Sequence, residues 1–430
     1  MGIDLLAFEL EIFKNIWRVI SISWWAILPL GLFFVWKGFW VWGLNRMWKK
    51  SIEWVMLEIK IPRNILKTPK AMENIFSALH AVYATEMTFE DRYLSGTDLS
   101  WFTFELVGYA GGVHFYVRCT KRHRNLIESA IYSEYPDAEF AEAEDYTGLL
   151  PDVLPNEVYD LWGNDYVLSK ESPYPIRTYE FFEAQVEEQR LDPLAAITEV
   201  MSRLKEGEAI WLQYLIRPVS DYWKKEGEEI RDKIMQRKKE KPAGILESLI
   251  KEFFIFLRNL TIAPTEVPTW PGGEKKEEKF KILALSPGEK NILEGVENKI
   301  SKLGFETAIR FIYIDRQDSF SPANVAAVQG AFKQFSTQDM NKLGLISETV
   351  TFVTSKKLTT KSWFRRQKLH YRKRLIYDMY KLRWFPPKFS ILNTEELATI
   401  FHFPLVTVEA PLLRRLETRK GEPPGNLPIR

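Results

Sequence analysis

From Trp24 to Leu44 the chain reads WWAILPLGLFFVWKGFWVWGL, and between Val19 and Leu44 the only charged side chain is Lys37. About 20 consecutive apolar residues suffice to cross a bilayer as a helix, so residues 1–50 predict a membrane anchor. Trp17, Trp24, Trp25, Trp36, Trp40, Trp42 and Trp48 crowd the stretch, several near its ends, where an indole lies at headgroup level with its N–H wet. Lys37 can snorkel. A cleaved secretion signal would show a shorter apolar core and a small-residue cleavage site, and neither precedes Lys49-Lys50. A buried or interfacial helix is the other reading, but the run lacks a polar face. Arg46, Lys49 and Lys50 follow the run, whereas Lys14 and Arg18 precede it among Asp4, Glu9 and Glu11, which sets the C-terminal side in the cytoplasm by the positive-inside rule. Cys119 is the only cysteine, so no intrachain disulfide forms and an oxidising compartment gains nothing. The expected location is the inner cell membrane, crossed once, with the bulk of the chain cytoplasmic.

The remainder is long enough for two domains with their own cores. Val55, Leu57, Ile59 and Ile61 alternate along a strand that Pro62 stops. Thr68-Pro69 is a helix start, because Pro at the first helical position loses no bond and presets φ. Met72, Ile75, Phe76, Leu79 and Val82 then recur at helical spacing. Phe102, Phe104 and Leu106 alternate up to Ala110-Gly111-Gly112, a hairpin turn, and Val113, Phe115 and Val117 alternate back. A helix with Leu126, Ile127, Ala130 and Ile131 ends before Pro136, and a strand passes through Ala138 and Phe140. This βαββαβ order over residues 51–147 predicts an α+β, ferredoxin-like module, its helices on one face of an antiparallel sheet.

Residues 148–191 read as a connector, broken at Ser172-Pro173-Tyr174-Pro175. A second α+β module is expected over 192–360. Asp192-Pro193 opens a helix that ends at Gly207, and Ile210, Leu212, Tyr214 and Ile216 form a strand. Ser286-Pro287-Gly288-Glu289 is a capping box, Gly304 closes that helix, and Ile309, Phe311 and Tyr313 alternate along the next strand. SRLKEGEAIWLQYLIR from Ser202 and SKLGFETAIRFIYIDR from Ser301 share helix end, Glu, strand and terminal Arg in one order. This is either internal pseudo-symmetry or a chance likeness of two helix-to-strand units. A helical insertion, 220–279, contains the amphipathic GILESLIKEFFIFLRNL, which suits a membrane surface, a partner or its own domain.

No segment fits the phosphate-cradling GxxxxGK[ST] loop, and Gly111-Gly112 sits in a hairpin, so the chain is not expected to hydrolyse ATP. His80, His114, His123, His370 and His402 include no HxxxH pair, and Cys119 with His123 lacks two further ligands. Neither metal nor cofactor is expected, and Cys119 reads as a buried thiol. Asp137, Glu139, Glu142, Glu144 and Asp145 guard an exposed sheet edge or, less simply, hold a cation.

With a net charge of +2, electrostatic function must come from a local cluster. KSWFRRQKLHYRKRLIYDMYKLRWF, from Lys361, is that cluster. Lys361, Arg365, Arg366, Lys368, Arg372, Lys373, Arg374, Lys381 and Arg383 face Asp378 alone. On a helix they could bind nucleic-acid phosphates, with Tyr371, Tyr377 or Trp384 stacking on bases. They could equally lie on anionic headgroups, or be the solvated face of a helix packed on its domain. Asn393 and Glu396 form a second capping box. The chain then ends in RKGEPPGNLPIR, which cannot continue a compact core.

EIKIPRNILKTPKAMENIF, FYVRCTKRHRNLIESAIYSEYPDAEFAEAEDYT, NTEELATIFHFP and RKGEPPGNLP together resemble the membrane-anchored N-terminal region of type IV secretion or conjugative-transfer ATPases of the coupling-protein and HerA-like group. The resemblance implies a non-enzymatic adaptor for a separately encoded P-loop ATPase that moves DNA or protein, with no catalytic residue carried over. Residues 361–430 would then be the docking segment, where Leu427 and Pro428 anchor an extended tail and the helix from Thr394 to Phe401 adds area. Membrane and ATPase are the expected partners, with DNA and further copies of the chain as additional ones. The rival reading is a membrane-tethered nucleic-acid-binding protein that acts without a motor.

Overall fold

The computed structural model describes residues 2–62, 67–83, 90, 93–94, 101–109, 112–182, 192–235, 285–351 and 360–404. The amphipathic stretch of the insertion, the Pro-rich connector after it, and the tail with Leu427 and Pro428 lie outside the described residues. The chain divides into two compact units, one of residues 1–55, 82–100 and 120–122 and one of the rest.

In the first unit, α1 (Gly2–Ser51) is a single helix of 50 residues with Pro29 inside it. Its stretch Ser23–Trp48 is long and apolar enough to cross a membrane, a criterion that a signal sequence also meets. Every residue from Leu28 to Trp36 is exposed. Trp36 and Trp40, one turn apart, stack with ring centroids 5.7 Å apart. Trp40 Nε1 donates to Tyr93 O at 3.0 Å, and the Lys37 ammonium sits 4.8 Å over the Tyr93 ring. Just past the helix, Lys121 pairs with Glu53 at 3.0 Å, both side chains well exposed.

The second unit is a mixed α+β body built on one large antiparallel sheet. Its strands are β1 (Trp54–Lys60), β2 (Phe102–Tyr109), β3 (Gly112–Thr120), β4 (Glu139–Glu142), β5 (Tyr159–Leu168), β6 (Ala209–Pro218), β7 (Gly304–Arg316), β8 (Leu343–Leu345) and β9 (Ser390–Asn393). The sheet runs β4-β1-β3-β2-β6-β7-β5-β8, and β9 pairs with the start of β7. The strands of the two expected modules are thus neighbours in one sheet, joined where β2 pairs with β6 from Phe102↔Ile216 to Tyr109↔Ala209, and residues 148–191 are not merely a connector, because β5 within them pairs with β7 and β8. Counted within each set of four, the order is 4-1-3-2 and then 2-3-1-4. The two stretches alike in sequence each lead from a helix into a strand, β6 and β7, which pair antiparallel.

Helices form where the caps dictate. The Thr68 side chain accepts from Lys70 N ahead of α2 (Pro69–Leu79), whose Met72, Ile75, Phe76 and Leu79 are buried. The elements α3 (Arg124–Glu134), α4 (Ala195–Ser202) and α5 (Lys224–Ile234) follow. The Ser286 capping box opens α6 (Pro287–Ser301), and Pro322 opens α7 (Pro322–Lys333). Gly304 begins β7 rather than only ending α6. A Cβ there would stand 2.5 Å from Nε1 of the Trp223 indole, so only glycine fits. Next are α8 (Thr360–Lys381) and α9 (Thr394–Ile400), the latter with its own capping box from Asn393 and Glu396.

One face of the sheet carries α2, α4, α7 and α9. Phe104 meets Phe76 and Phe401 edge-on at 5.2 and 5.1 Å, Gly108 is where α4 brings Met201 close, and Phe332 stacks on Tyr166 at 4.6 Å. Every residue of α9 is buried, so this helix has no free area for a docking partner. The opposite face, which a half-covered sheet would leave wet, is covered as well. Val107, Trp211, Ile312 and Leu161 form a core there with Leu154, Tyr146 and three side chains of α8, Ile376, Tyr377 and Tyr380. At one end of the sheet β4 exposes Glu139 and Glu142, as an edge guarded against further pairing requires.

Candidate interaction surface on a basic helix

The C-terminal half of α8 is fastened to the sheet. Gly163 of β5 makes room for Ile376, two of whose carbons pass 3.1 Å from where a Cβ would be. The helix ends in a Schellman turn: Trp384 N donates to Met379 O and Arg383 N to Tyr380 O, both at 3.0 Å. Arg383 holds φ 49°, the left-handed position that glycine usually takes. Its guanidinium explains the exception. It donates to Glu105 Oε1 at 3.0 Å and Oε2 at 3.2 Å, and to both carboxylate oxygens of Asp145, with 1 % of the residue exposed.

Arg310 of β7 closes the other side. Its Nε donates to Asp165 Oδ1 at 2.7 Å, and Nη1 to Met379 O at 2.8 Å and Gln213 Oε1 at 3.2 Å. Glu105, Gln213, Arg310 and Asp165 are successive cross-strand partners, so a single row of the sheet lays a buried polar ladder beneath the helix end. Tyr146 donates to Glu105 Oε2 at 2.6 Å and shares a 2.7 Å bond with Tyr380. Burial pushes both phenols well above their ordinary range. Burial also disfavours the charge on Arg383, but Glu105 and Asp145 outweigh it and raise its pKa. Burial would likewise raise Asp145, yet Arg383 and the Thr147 hydrogen bonds hold it below the usual carboxylate range.

The nine cations of the segment therefore divide. Arg383 is inside. Arg372 is half-buried and donates to Val350 O at 3.1 Å, Lys373 pairs with Asp160 at 2.5 Å, and Lys381 pairs with Asp152 at 2.7 Å. Arg365, Arg366, Lys368 and Arg374 are exposed, and no ion pair joins them to another described residue. The side chain of Lys361 lies outside the described residues. Phe364 and Tyr371, 67 % and 64 % exposed, fall on the outward face with Leu375 and Leu382, at intervals of seven, four and seven residues that keep one helix face. Lys368 and Arg374 flank this apolar stripe. Trp363, near the helix start, is exposed too.

Sequence reasoning missed the inner half of this arrangement. Glu105, Gln213 and Arg310 are single polar residues inside apolar strands, and that isolation was the available signal. Two further buried pairs were equally hidden: Lys299 with Glu396 at 2.9 Å, both side chains fully buried, and His402 with Asp192 at 3.0 Å. Burial lowers the Lys299 pKa and raises that of Glu396. In the cleft beside them, lined by Arg177, Glu180 and α6, Lys302 is bound by Glu395 at 2.6 Å and Glu73 at 3.0 Å, which leaves its charge already compensated. Cys119 is buried and its thiol is pushed up to about 12 by burial. Among the described residues no group of three His, Cys, Asp or Glu side chains is placed to hold a metal.

No curated protein matches the chain. A family model matches residues 46–411, from the last turns of α1 to beyond α9 and so the whole sheet with its latched helix. The chain belongs to that family, described as a domain of unknown function (DUF8128).

Proposed function

We propose that the chain is a membrane-anchored, non-enzymatic adaptor that holds a separately encoded P-loop ATPase of a type IV secretion or conjugation-like system at the inner membrane. The observation that carries the reading is the outward stripe of α8. A helix locked to its sheet by a buried ion-pair network presents Phe364, Tyr371, Leu375 and Leu382 to solvent between exposed cations, which is the layout of an apolar hot spot with a charged rim. Anchorage through α1, a cytoplasmic second unit and self-association to match a ring-shaped motor belong to the same reading. So does a ferredoxin-like identity for the first four strands, which their order β4-β1-β3-β2 supports.

A P-loop ATPase without a membrane helix of its own is expected to be encoded beside this chain, and its absence there contradicts the proposal; the test is co-expression of the two, followed by purification from solubilised membranes. The ATPase is expected to co-purify with the wild type. Phe364→Asp with Tyr371→Asp should cut recovery about tenfold or more, since one hot-spot side chain is worth at least about 2 kcal/mol. Equal recovery with the variant, or no recovery with the wild type, contradicts the proposal.

A second reading, membrane-tethered nucleic-acid binding without a motor, draws on a different observation: Arg365, Arg366, Lys368 and Arg374 stand exposed beside Trp363, Phe364 and Tyr371, cations next to stacking platforms. The salt dependence of single-stranded DNA binding separates it from the first.

A further inference from the structure

The inference rests on the reading of α1 as a bilayer-spanning helix and concerns where the bilayer ends on it. We propose that the boundary on the C-terminal side lies at Lys37 to Trp40, so that Val19–Trp36 crosses the hydrocarbon and the turns from Lys37 to Ser51 stand outside it as a stalk. The apolar stretch as a whole, Ser23–Trp48, has 26 residues, about 39 Å of helix at ~1.5 Å per residue, against a hydrocarbon thickness of about 30 Å. Centred in a membrane, it would set Lys37, its fifteenth residue, near the midplane, where a charge is strongly disfavoured. The charge-free run between Arg18 and Lys37 has 18 residues, about 27 Å, and brings a cation to each surface.

Two observations place the edge at the same level. Tyr93 is outside α1, yet its backbone carbonyl accepts from Trp40 and its ring receives the Lys37 ammonium. A charge is disfavoured in the hydrocarbon, and the Lys37 ammonium is held at the level of the Tyr93 ring, so that level lies outside it. Exposure along α1 changes there too. Leu28 to Trp36 are all exposed, as a lipid-covered surface must be in the absence of lipid, whereas Lys37, Val41, Gly43, Leu44, Asn45 and Trp48 are partly covered. Beyond, Glu53 and Lys121 form a pair open to water. Trp36 and Trp40 then occupy the interfacial belt where indoles concentrate. The occupant around Val19–Trp36 is acyl chain, and that around Lys37 is headgroup phosphate.

Cysteine scanning of the full chain tests this against a silent background, because Cys119 is buried with its thiol at about 12 and the thiolate is the reactive form. Gly31→Cys, Val35→Cys, Phe39→Cys and Met47→Cys are made one at a time. Open membrane fragments, with both surfaces presented, are treated with a membrane-impermeant maleimide. Positions 39 and 47 should label and positions 31 and 35 should be fully protected, each compared with its labelling after SDS less that of the wild type, whose Cys119 SDS exposes. Phe39 is 68 % exposed, so protein does not shield it. Protection at 39 with labelling at 47 places the edge near Trp48 and overturns the proposal, as does protection at all four. Labelling at all four removes the membrane-spanning reading itself.

Discussion

At Arg383 a left-handed backbone and a buried guanidinium coincide. Glycine would satisfy the turn but leave Glu105, on the central strands, without its cation. A buried carboxylate stripped of its partner costs about 3–5 kcal/mol, so Arg383→Leu should lower the unfolding free energy of the detergent-solubilised chain by that amount at pH 7, measured by urea titration. The pH dependence follows from Asp145. Its pKa is lowered in the folded state, so the unfolded chain binds the proton more readily and stability rises with pH across that interval. The contribution is complete above the unfolded value near 4 and is lost as pH falls through the lower folded value. Wild-type stability should therefore drop on acidification below about pH 4, and the variant, already without the bond, should show a flatter profile there. Identical profiles would show that the Asp145–Arg383 bond contributes no net stability.

The helix α8 shows what a sequence discloses about an element and what it conceals. Its extent and basic character were legible, as were the capping boxes at Ser286 and Asn393, because caps and periodicity are local. Which of its cations would be spent was not legible, because Glu105, Asp145, Asp152 and Asp160 lie more than 200 residues away. Its C-terminus had no glycine to announce the turn, only Arg383 held by a distant strand. The division into bound and unbound cations makes the nucleic-acid reading specific. Replacing Arg365, Arg366, Lys368 and Arg374 by Gln, with Arg372 left on Val350 O, should weaken single-stranded DNA binding. It should also flatten the plot of log affinity against log salt by about 0.7 for each phosphate that is no longer neutralised. A slope that does not change excludes these four groups from binding phosphate.

Across the whole molecule, β1 to β4, β6 and β7 were readable one by one, while β5, inside the expected connector, β8, β9 and the union of the strands were not. Alternation in β2 and β6 reports which residues share a face, not that the edge of one group of four strands will zip onto the edge of another. The covering of both faces is likewise a tertiary fact: it turns Glu105 and Arg310 from surface groups into a buried ladder and gives α8 a fixed seat. The family match from 46 to 411 spans this sheet and its seated helix, so the adaptor reading stands or falls on what the free side of α8 touches. Photocrosslinking from position 371 in intact cells measures this most directly, with a benzophenone side chain in place of the exposed Tyr371. The account predicts a crosslink to a P-loop ATPase, abolished by Phe364→Asp in the same chain. Crosslinks confined to nucleic acid or lipid, or an ATPase crosslink indifferent to Phe364→Asp, would contradict it.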